Sequence, residues 1–281
     1  MDDAQRLTLP TIAMLGAGSM GRAILSGLLA PGVQVAGIRV TNRSEARAAE
    51  LSGTAGVTAY ATESQPDANR LAVDGAGIVV VAVKPAMVRD LLAEIGASLA
   101  PGTIVVSVAA GVTTATMESL LPDSVSVVRA MPNTPAVVGK AVTGVSAGTR
   151  SEASDLELVR ALFATVGEVV EVPESQLDAL STISGSGPAY VFLLIEALTE
   201  AAVQKGFTPE QAAALVNGTF LGASELLVSS GEDPAELRRR VTSPNGTTER
   251  AIAVLADADL PALFARATDA ALARARELAA G

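Results

Sequence analysis

Gly16-Ala17-Gly18-Ser19-Met20-Gly21 spells G-x-G-x-x-G, a spacing that can cradle phosphates. The first glycine makes a tight turn, and the second lets the backbone approach a pyrophosphate. The third lets the following helix pack on its strand. A helix start then offers free N–H groups and the positive end of its dipole to the anion. A ligand-free glycine turn has the same letters, so context decides. Here the motif follows an apolar run at Ile12–Leu15 and opens a helical stretch, as dinucleotide binding requires.

Three further strand ends carry candidate ligand groups. The second apolar run ends in Thr41-Asn42-Arg43-Ser44. An NAD-selective site places Asp or Glu here for the ribose hydroxyls, and none is present. Arg43, with Asn42 and Ser44, can instead hold the 2′-phosphate of NADP, so NADPH is the expected donor and NADH the alternative. Ser44 can also cap the next helix, which is compatible with that role. Val83-Lys84-Pro85 ends another run and is placed for the switch-point crevice of an open sheet, although Lys84 reads equally as a solvated strand end. Ser107-Val108-Ala109-Ala110-Gly111 ends a fourth with small side chains, which let a flat ring lie against the backbone.

Two motifs lie further on. Ser184-Gly185-Ser186-Gly187-Pro188-Ala189-Tyr190 interrupts one helical region and starts the next, with Pro188 at the first turn; a plain helix kink is the rival reading. Thr242-Ser243-Pro244-Asn245-Gly246-Thr247-Thr248-Glu249 turns between two helices and leaves hydroxyls and amides at a helix start, which suits a carboxylate or phosphate. Ordinary capping by Thr247 or Thr248 is the alternative. Arg238-Arg239-Arg240 reads as a solvated helix face, because the 281 residues carry a net charge of −10.

The absent residue types narrow the chemistry. With no Cys and no His, thiolate nucleophiles, disulfides and imidazole bases are excluded, as are their metal sites. Acidity and 2% aromatics argue against a nucleic-acid partner. The first ten residues have no apolar signal core, and the apolar runs read as too short to cross a bilayer. A cytoplasmic protein with no membrane partner and a loose N-terminal tail is expected.

The elements that must position these groups alternate over the first two-thirds. Apolar runs at 12–15, 33–40, 78–83, 104–108 and 125–128 read as strands buried on both faces of a parallel sheet. Helical stretches lie near 21–30, 44–51, 86–97 and 113–119. Runs at 141–147 and 169–172 extend the sheet around a helix near 151–166. This is the doubly wound α/β pattern. After Pro173 the chain reads as helix throughout, giving domains 1–173 and 174–281. Thr208-Pro209-Glu210-Gln211 and Asp233-Pro234-Ala235-Glu236 are helix starts, and Asp259 begins the last helix. Val191-Phe192-Leu193-Leu194-Ile195 is apolar all round, which requires burial on every side. A second subunit is the expected cover.

Together these motifs resemble the pyrroline-5-carboxylate reductase family, from Ile12 to about Leu278. The resemblance rests on the glycine motif, Ala82-Val83-Lys84-Pro85 and Ala109-Ala110-Gly111. Arg129-Ala130-Met131-Pro132-Asn133-Thr134-Pro135, Ser184 to Tyr190 and Thr242 to Thr248 complete it. It implies a Rossmann domain followed by an all-α domain that interlocks in a homodimer, with dimers often assembling into decamers. It implies NAD(P)H-dependent reduction of the imine of 1-pyrroline-5-carboxylate to L-proline, without a metal. By similarity, Gly16 to Gly21, Asn42, Arg43, Ser44, Val83, Lys84, Pro85, Ala109 and Ala110 bind the dinucleotide, and Asn69 lies on its adenosine side. Ser243, Gly246 and Thr247 meet the substrate carboxylate. Thr248 meets the ring nitrogen, and Glu174 lies on the substrate side.

Imine reduction agrees with the missing His, because the cofactor carries the hydride. Two positions depart from the family: Asn245 stands where Gly is usual, and Ala86 where Gln is frequent. A β-hydroxyacid dehydrogenase would carry a catalytic Lys in G-x-x-x-N-K, which is absent here. A nonenzymatic NADP-binding regulator would bind the dinucleotide without turnover.

Overall fold

The computed structural model describes residues 8–280, with side chains to 277; the tail expected over the first residues lies largely outside them. The chain divides into two compact units, Met1–Gly185 with Leu272–Gly281, and Ser186–Ala271.

The first unit is built on one eight-stranded sheet of order β3-β2-β1-β4-β5-β6-β7-β8. The strands are β1 (Ile12–Leu15), β2 (Ile38–Asn42), β3 (Val57–Ala61), β4 (Ile78–Val81), β5 (Ile104–Ser107), β6 (Ser126–Met131), β7 (Ala141–Ala147) and β8 (Gly167–Glu171). Between them run α1 (Ser19–Leu28), α2 (Glu45–Ala49), α3 (Ala68–Val73), α4 (Val88–Ile95), α5 (Thr114–Glu118) and α6 (Ala153–Ala164), with α7 (Glu174–Leu180) after β8. Neighbouring strands from β3 to β6 are parallel, with Ile12 opposite both Ile38 and Ile78.

Strand alternation sorts the buried side chains onto two faces. Ile12, Met14, Ile78, Val80, Ile104 and Val106 pack with α1 and α6. Ala13, Leu15, Val79, Val81 and Val105 pack with α3, α4 and α5. Both faces are covered, as the unbroken Val/Ile runs require.

The structure departs from the sequence pattern in four places. The second strand begins at Ile38 rather than Val33; Val35 instead forms an isolated bridge to Leu9. The edge strand β3 and the helix α3 were not anticipated. Val57 to Ala61 is mixed and half exposed, so it lacks the continuous apolar signal. β7 runs antiparallel to β6. A 3₁₀ turn at Thr134–Val138, closed by Gly139 at φ 68°, returns the chain at once, and so short a connection cannot make a parallel crossover. α7 follows Pro173 but packs against β7: a Cβ on Gly144 would lie 2.6 Å from Leu180 Cδ1. The compact unit therefore runs on to Gly185.

The second unit contains α8 (Gly187–Gln204), α9 (Pro209–Ser230), α10 (Pro234–Arg240), α11 (Thr247–Ala256) and the start of α12 (Leu260–Ala280). Thr208 and Gln211 form the expected capping box of α9, with Pro209 in the first turn. Asp233 Oδ1 accepts from Ala235 N–H at the start of α10. Arg239 and Arg240 pair with Glu236, and Arg240 also with Glu232. Hydrogen bonds from Arg239 and then Arg240 hold the Glu236 carboxyl down to about 2. α8 and α9 pack together, yet Phe192 and Leu193 stay more than half exposed. The helical stretches Glu174–Gln204 and Pro209–Ser230 are long and apolar enough to cross a membrane by length and composition alone. This corrects the reading of the apolar runs as too short to cross, because the helix continues past the charged residues, Glu196 and Glu200, that interrupt the run in the sequence.

Candidate active site

The strand order reverses between β1 and β4: the chain leaves β1 for β2 and β3, then crosses back to β4. Ligands bind outside the carboxyl ends of strands at such a point. A cavity of about 700 Å³ opens there, lined by Gly16 to Gly18 after β1, Asn42 to Ser44 at the end of β2, and Val83 and Lys84 after β4. The structure thus brings together residues that the sequence singled out separately.

The glycine turn is shaped by contact. Gly16 has φ 93°, and a Cβ there would lie 3.0 Å from the Ala82 carbonyl oxygen and Val83 Cγ1. A Cβ on Gly21 would lie 2.5 Å from the Gly16 carbonyl oxygen, so α1 presses directly on the turn. Gly18 is the N-cap of α1, without a side-chain cap, and the space where its Cβ would project is open. An anion can therefore reach the free N–H groups of α1.

At the other end, Thr62 N–H bonds the Asn42 carbonyl at 2.9 Å and Glu63 N–H the Arg43 carbonyl at 3.1 Å. These bonds carry the β2–β3 ladder past the strand ends and fix the loop bearing Arg43. Ser44 is the N-cap of α2, although its side chain makes no cap bond. Asn42 is buried, and its Nδ2 has no hydrogen-bond partner. Open space at Gly18 and an unpaired amide at Asn42 both fit a dinucleotide.

Asn69 on α3 also lines the cavity. Its Nδ2 donates to both carboxylate oxygens of Glu94, at 3.1 and 3.3 Å. Ser19, Met20, Gly21, Pro85, Ala109 and Ala110 are not among the lining residues. Gly21 and Ala109 are buried behind the wall, and Ala109 N–H donates to Ser107 Oγ at 3.2 Å.

Sequence reasoning missed Arg47, Thr62, Met87, Asp90 and Glu94, all of which line the cavity. Arg47 stands four residues after Arg43, which lies in the loop before α2, and that spacing was the available signal. Asp90 and Glu94 repeat it on α4. No group of His, Cys, Asp and Glu able to hold a metal occurs among the described residues.

The hydroxyl-rich loop lies in the second unit. Gly246 N–H bonds the Ser243 carbonyl at 3.0 Å, closing the turn. Asn245 takes φ 60°, a left-handed conformation that Asn tolerates better than most residues. Its N–H donates to Glu249 Oε2 at 2.8 Å. Gly246 is the N-cap of α11, with no side-chain cap, so neither Thr247 nor Thr248 caps the helix. Thr247 is exposed and Thr248 half-buried.

Glu174 belongs to a network of the first unit. Its Oε1 accepts Thr114 N–H at 2.7 Å and its Oε2 accepts the Thr114 hydroxyl at 2.6 Å. Oε1 also lies 3.6 Å from Nη1 of the buried Arg129, whose Nη2 reaches Asp178 Oδ1 at 2.7 Å. Asn133 ties the same region together. Its Nδ2 donates to the Ser184 carbonyl and its Oδ1 accepts from Val142 N–H, both at 2.9 Å. That clamps the π-helical turn Ser181–Gly185 to β7.

A family model described as pyrroline-5-carboxylate reductase dimerisation matches residues 174–278. Another, described as NADP oxidoreductase, coenzyme F420-dependent, matches residues 11–111. The chain is 42% identical over 273 residues to a pyrroline-5-carboxylate reductase of Corynebacterium melassecola, covering 96% of this chain and 99% of that one. It is 39% identical to the Pseudomonas aeruginosa enzyme of the same name, covering 97% and 98%. Among solved structures, a pyrroline-5-carboxylate reductase from Coxiella burnetii superposes with a TM-score of 0.89 at 39% identity, covering 97% and 99%. A Plasmodium falciparum pyrroline carboxylate reductase, solved with NADP bound, shares the fold at 24% identity and a TM-score of 0.79, covering 96% and 98%.

Proposed function

The chain belongs to the pyrroline-5-carboxylate reductase family, and on that premise we propose that it reduces 1-pyrroline-5-carboxylate to L-proline with NADPH, the last step of proline biosynthesis. Near-complete coverage by relatives of that name carries the reading. The switch-point cavity supports it. The dinucleotide, when bound, supplies the hydride, and the protein's own residues bind and orient both reactants.

In this reading the N–H groups at the start of α1, beside Gly18, hold the pyrophosphate. Asn42, Arg43 and Ser44 hold the 2′-phosphate end, and Asn69 the adenosine. Val83 and Lys84 form a further wall of the cavity, with Pro85, Ala109 and Ala110 completing the dinucleotide site beyond its lining. Ser243, Gly246 and Thr247 take the substrate carboxylate at the uncapped start of α11, and Thr248 hydrogen-bonds the ring nitrogen. The protonated imine is already electrophilic at carbon, so the protein must only place that carbon and stabilise the changing charge on nitrogen.

The helical domain, counted from residue 174, is proposed to form a cytoplasmic homodimer, with decamers as the higher assembly. The exposed apolar side chains of α8, Phe192 and Leu193 among them, then meet a second subunit rather than a membrane.

The test is NADPH consumption by the purified protein with racemic 1-pyrroline-5-carboxylate, followed by chiral analysis. Stoichiometric L-proline is expected; dinucleotide binding without turnover would favour the regulator. Cofactor choice has its own test. Arg43→Ala is expected to lower the ratio of kcat/KM for NADPH to that for NADH by about ten- to a hundredfold, the loss of one charge-assisted hydrogen bond. An unchanged ratio would remove Arg43 from the phosphate.

A further inference from the structure

The end of the cavity formed by β2 and α2 holds two arginines. Arg43 and Arg47 both line it and both are exposed. Among the described residues neither makes an ion pair, and two neighbouring acids are engaged elsewhere. Glu50, three residues after Arg47, is salt-bridged to Arg22. Glu63 accepts Glu45 N–H at 2.7 Å. That bond also occupies the first N–H of α2, a five-residue helix, so charge here must be met by side chains and not by a helix start. Two unpaired guanidiniums on the wall of one cavity repel each other until an anion lies between them. The cavity's lining acids, Asp90 and Glu94, are on α4, and Glu94 is already bonded to Asn69.

We infer that Arg47 is a specificity-determining residue, a second cation that closes with Arg43 on the 2′-phosphate of the dinucleotide. This rests on the NADP-preferring reading above and adds to it a contact outside the Asn42-Arg43-Ser44 motif. Arg47 supplies planar, paired donors from the helix side, while Arg43 supplies them from the loop. Its plain alternative is a basic residue that favours the last turn of α2.

The experiment is calorimetric titration of 2′,5′-ADP and of 5′-AMP into wild type, Arg47→Gln, Arg47→Lys and Arg43→Gln, with no turnover required. The ratio of the two affinities reports the 2′-phosphate alone. Arg47→Gln is expected to lower that ratio about tenfold, with 5′-AMP affinity unchanged. Arg47→Lys keeps the charge and loses less. A wild-type ratio in Arg47→Gln, or equal weakening of both ligands, overturns the inference. If Arg43→Gln lowers the ratio and Arg47→Gln does not, Arg47 is excluded and the NADP reading stands. If the wild type itself does not discriminate, both fall.

Discussion

Replacing Thr248 with alanine is expected to lower kcat for the cyclic imine about a hundredfold while leaving NADPH affinity at its wild-type value. Thr248 is the second residue of α11, half-buried, and its hydroxyl makes no protein hydrogen bond among the described residues. The helix start beside it has no side-chain cap. A carboxylate bound there orients the ring, and the hydroxyl is then left to bond the nitrogen. That nitrogen changes charge as the imine is reduced, so its partner acts more on the transition state than on the bound substrate. Losing such a partner costs on the order of 3 kcal/mol. Thr248→Ser keeps the hydroxyl and is expected to retain most of the rate. Initial-rate kinetics and a fluorescence titration of NADPH together check this. Weaker NADPH binding with unchanged kcat in the alanine variant would move Thr248 out of the substrate site.

How much of this was legible in the sequence depended on where the information lies. β1, β4 and β5 are short apolar runs, the last two rich in Val and Ile, and burial on both faces makes such runs conspicuous. β3 was missed because an edge strand has one flank in solvent and tolerates Thr58 and Tyr60. The direction of β7 depends on a 3₁₀ turn whose φ-positive Gly139 has no distinctive letter pattern. The phosphate turn and the strand ends at Asn42 and Val83 were readable because glycines and strand termini are local features. Arg47, Asp90 and Glu94 were not. A charged residue on a short helix reads as solvated, and only the packing of α2 and α4 on the sheet turns those faces toward the cavity. Asn133 was singled out by its motif, but its clamp on Ser184 and Val142 joins segments that no periodicity connects.

Glu174 shows the same limit, and its variants carry the second large effect. Glu174→Ala is expected to lower folding stability by about 2 kcal/mol, below the 3–5 kcal/mol typical of breaking a fully buried pair. The reduction follows from geometry: the Glu174 side chain is 26% exposed, and Asp178 remains on Arg129. What is lost is specific. Arg129 is 2% exposed, and its Nε already lacks a partner. Without Glu174, Nη1 loses its counter-charge as well. Thr114, at the start of α5, loses the acceptor of both its N–H and its hydroxyl. For a chain of this size, the midpoint of thermal unfolding should fall by about 5 °C. Glu174→Gln keeps an acceptor for Thr114 but not the charge, so its midpoint should lie between those of alanine and wild type. The resemblance to the reductase family implies instead that this carboxylate acts on the substrate side, and the two roles separate cleanly. An anchoring Glu174 moves the melting midpoint of both variants in the order Ala then Gln, with KM for the imine near its wild-type value below that midpoint. A substrate-side Glu174 raises KM several-fold and leaves the midpoint in place. Calorimetry and saturation kinetics on the same two preparations decide between them.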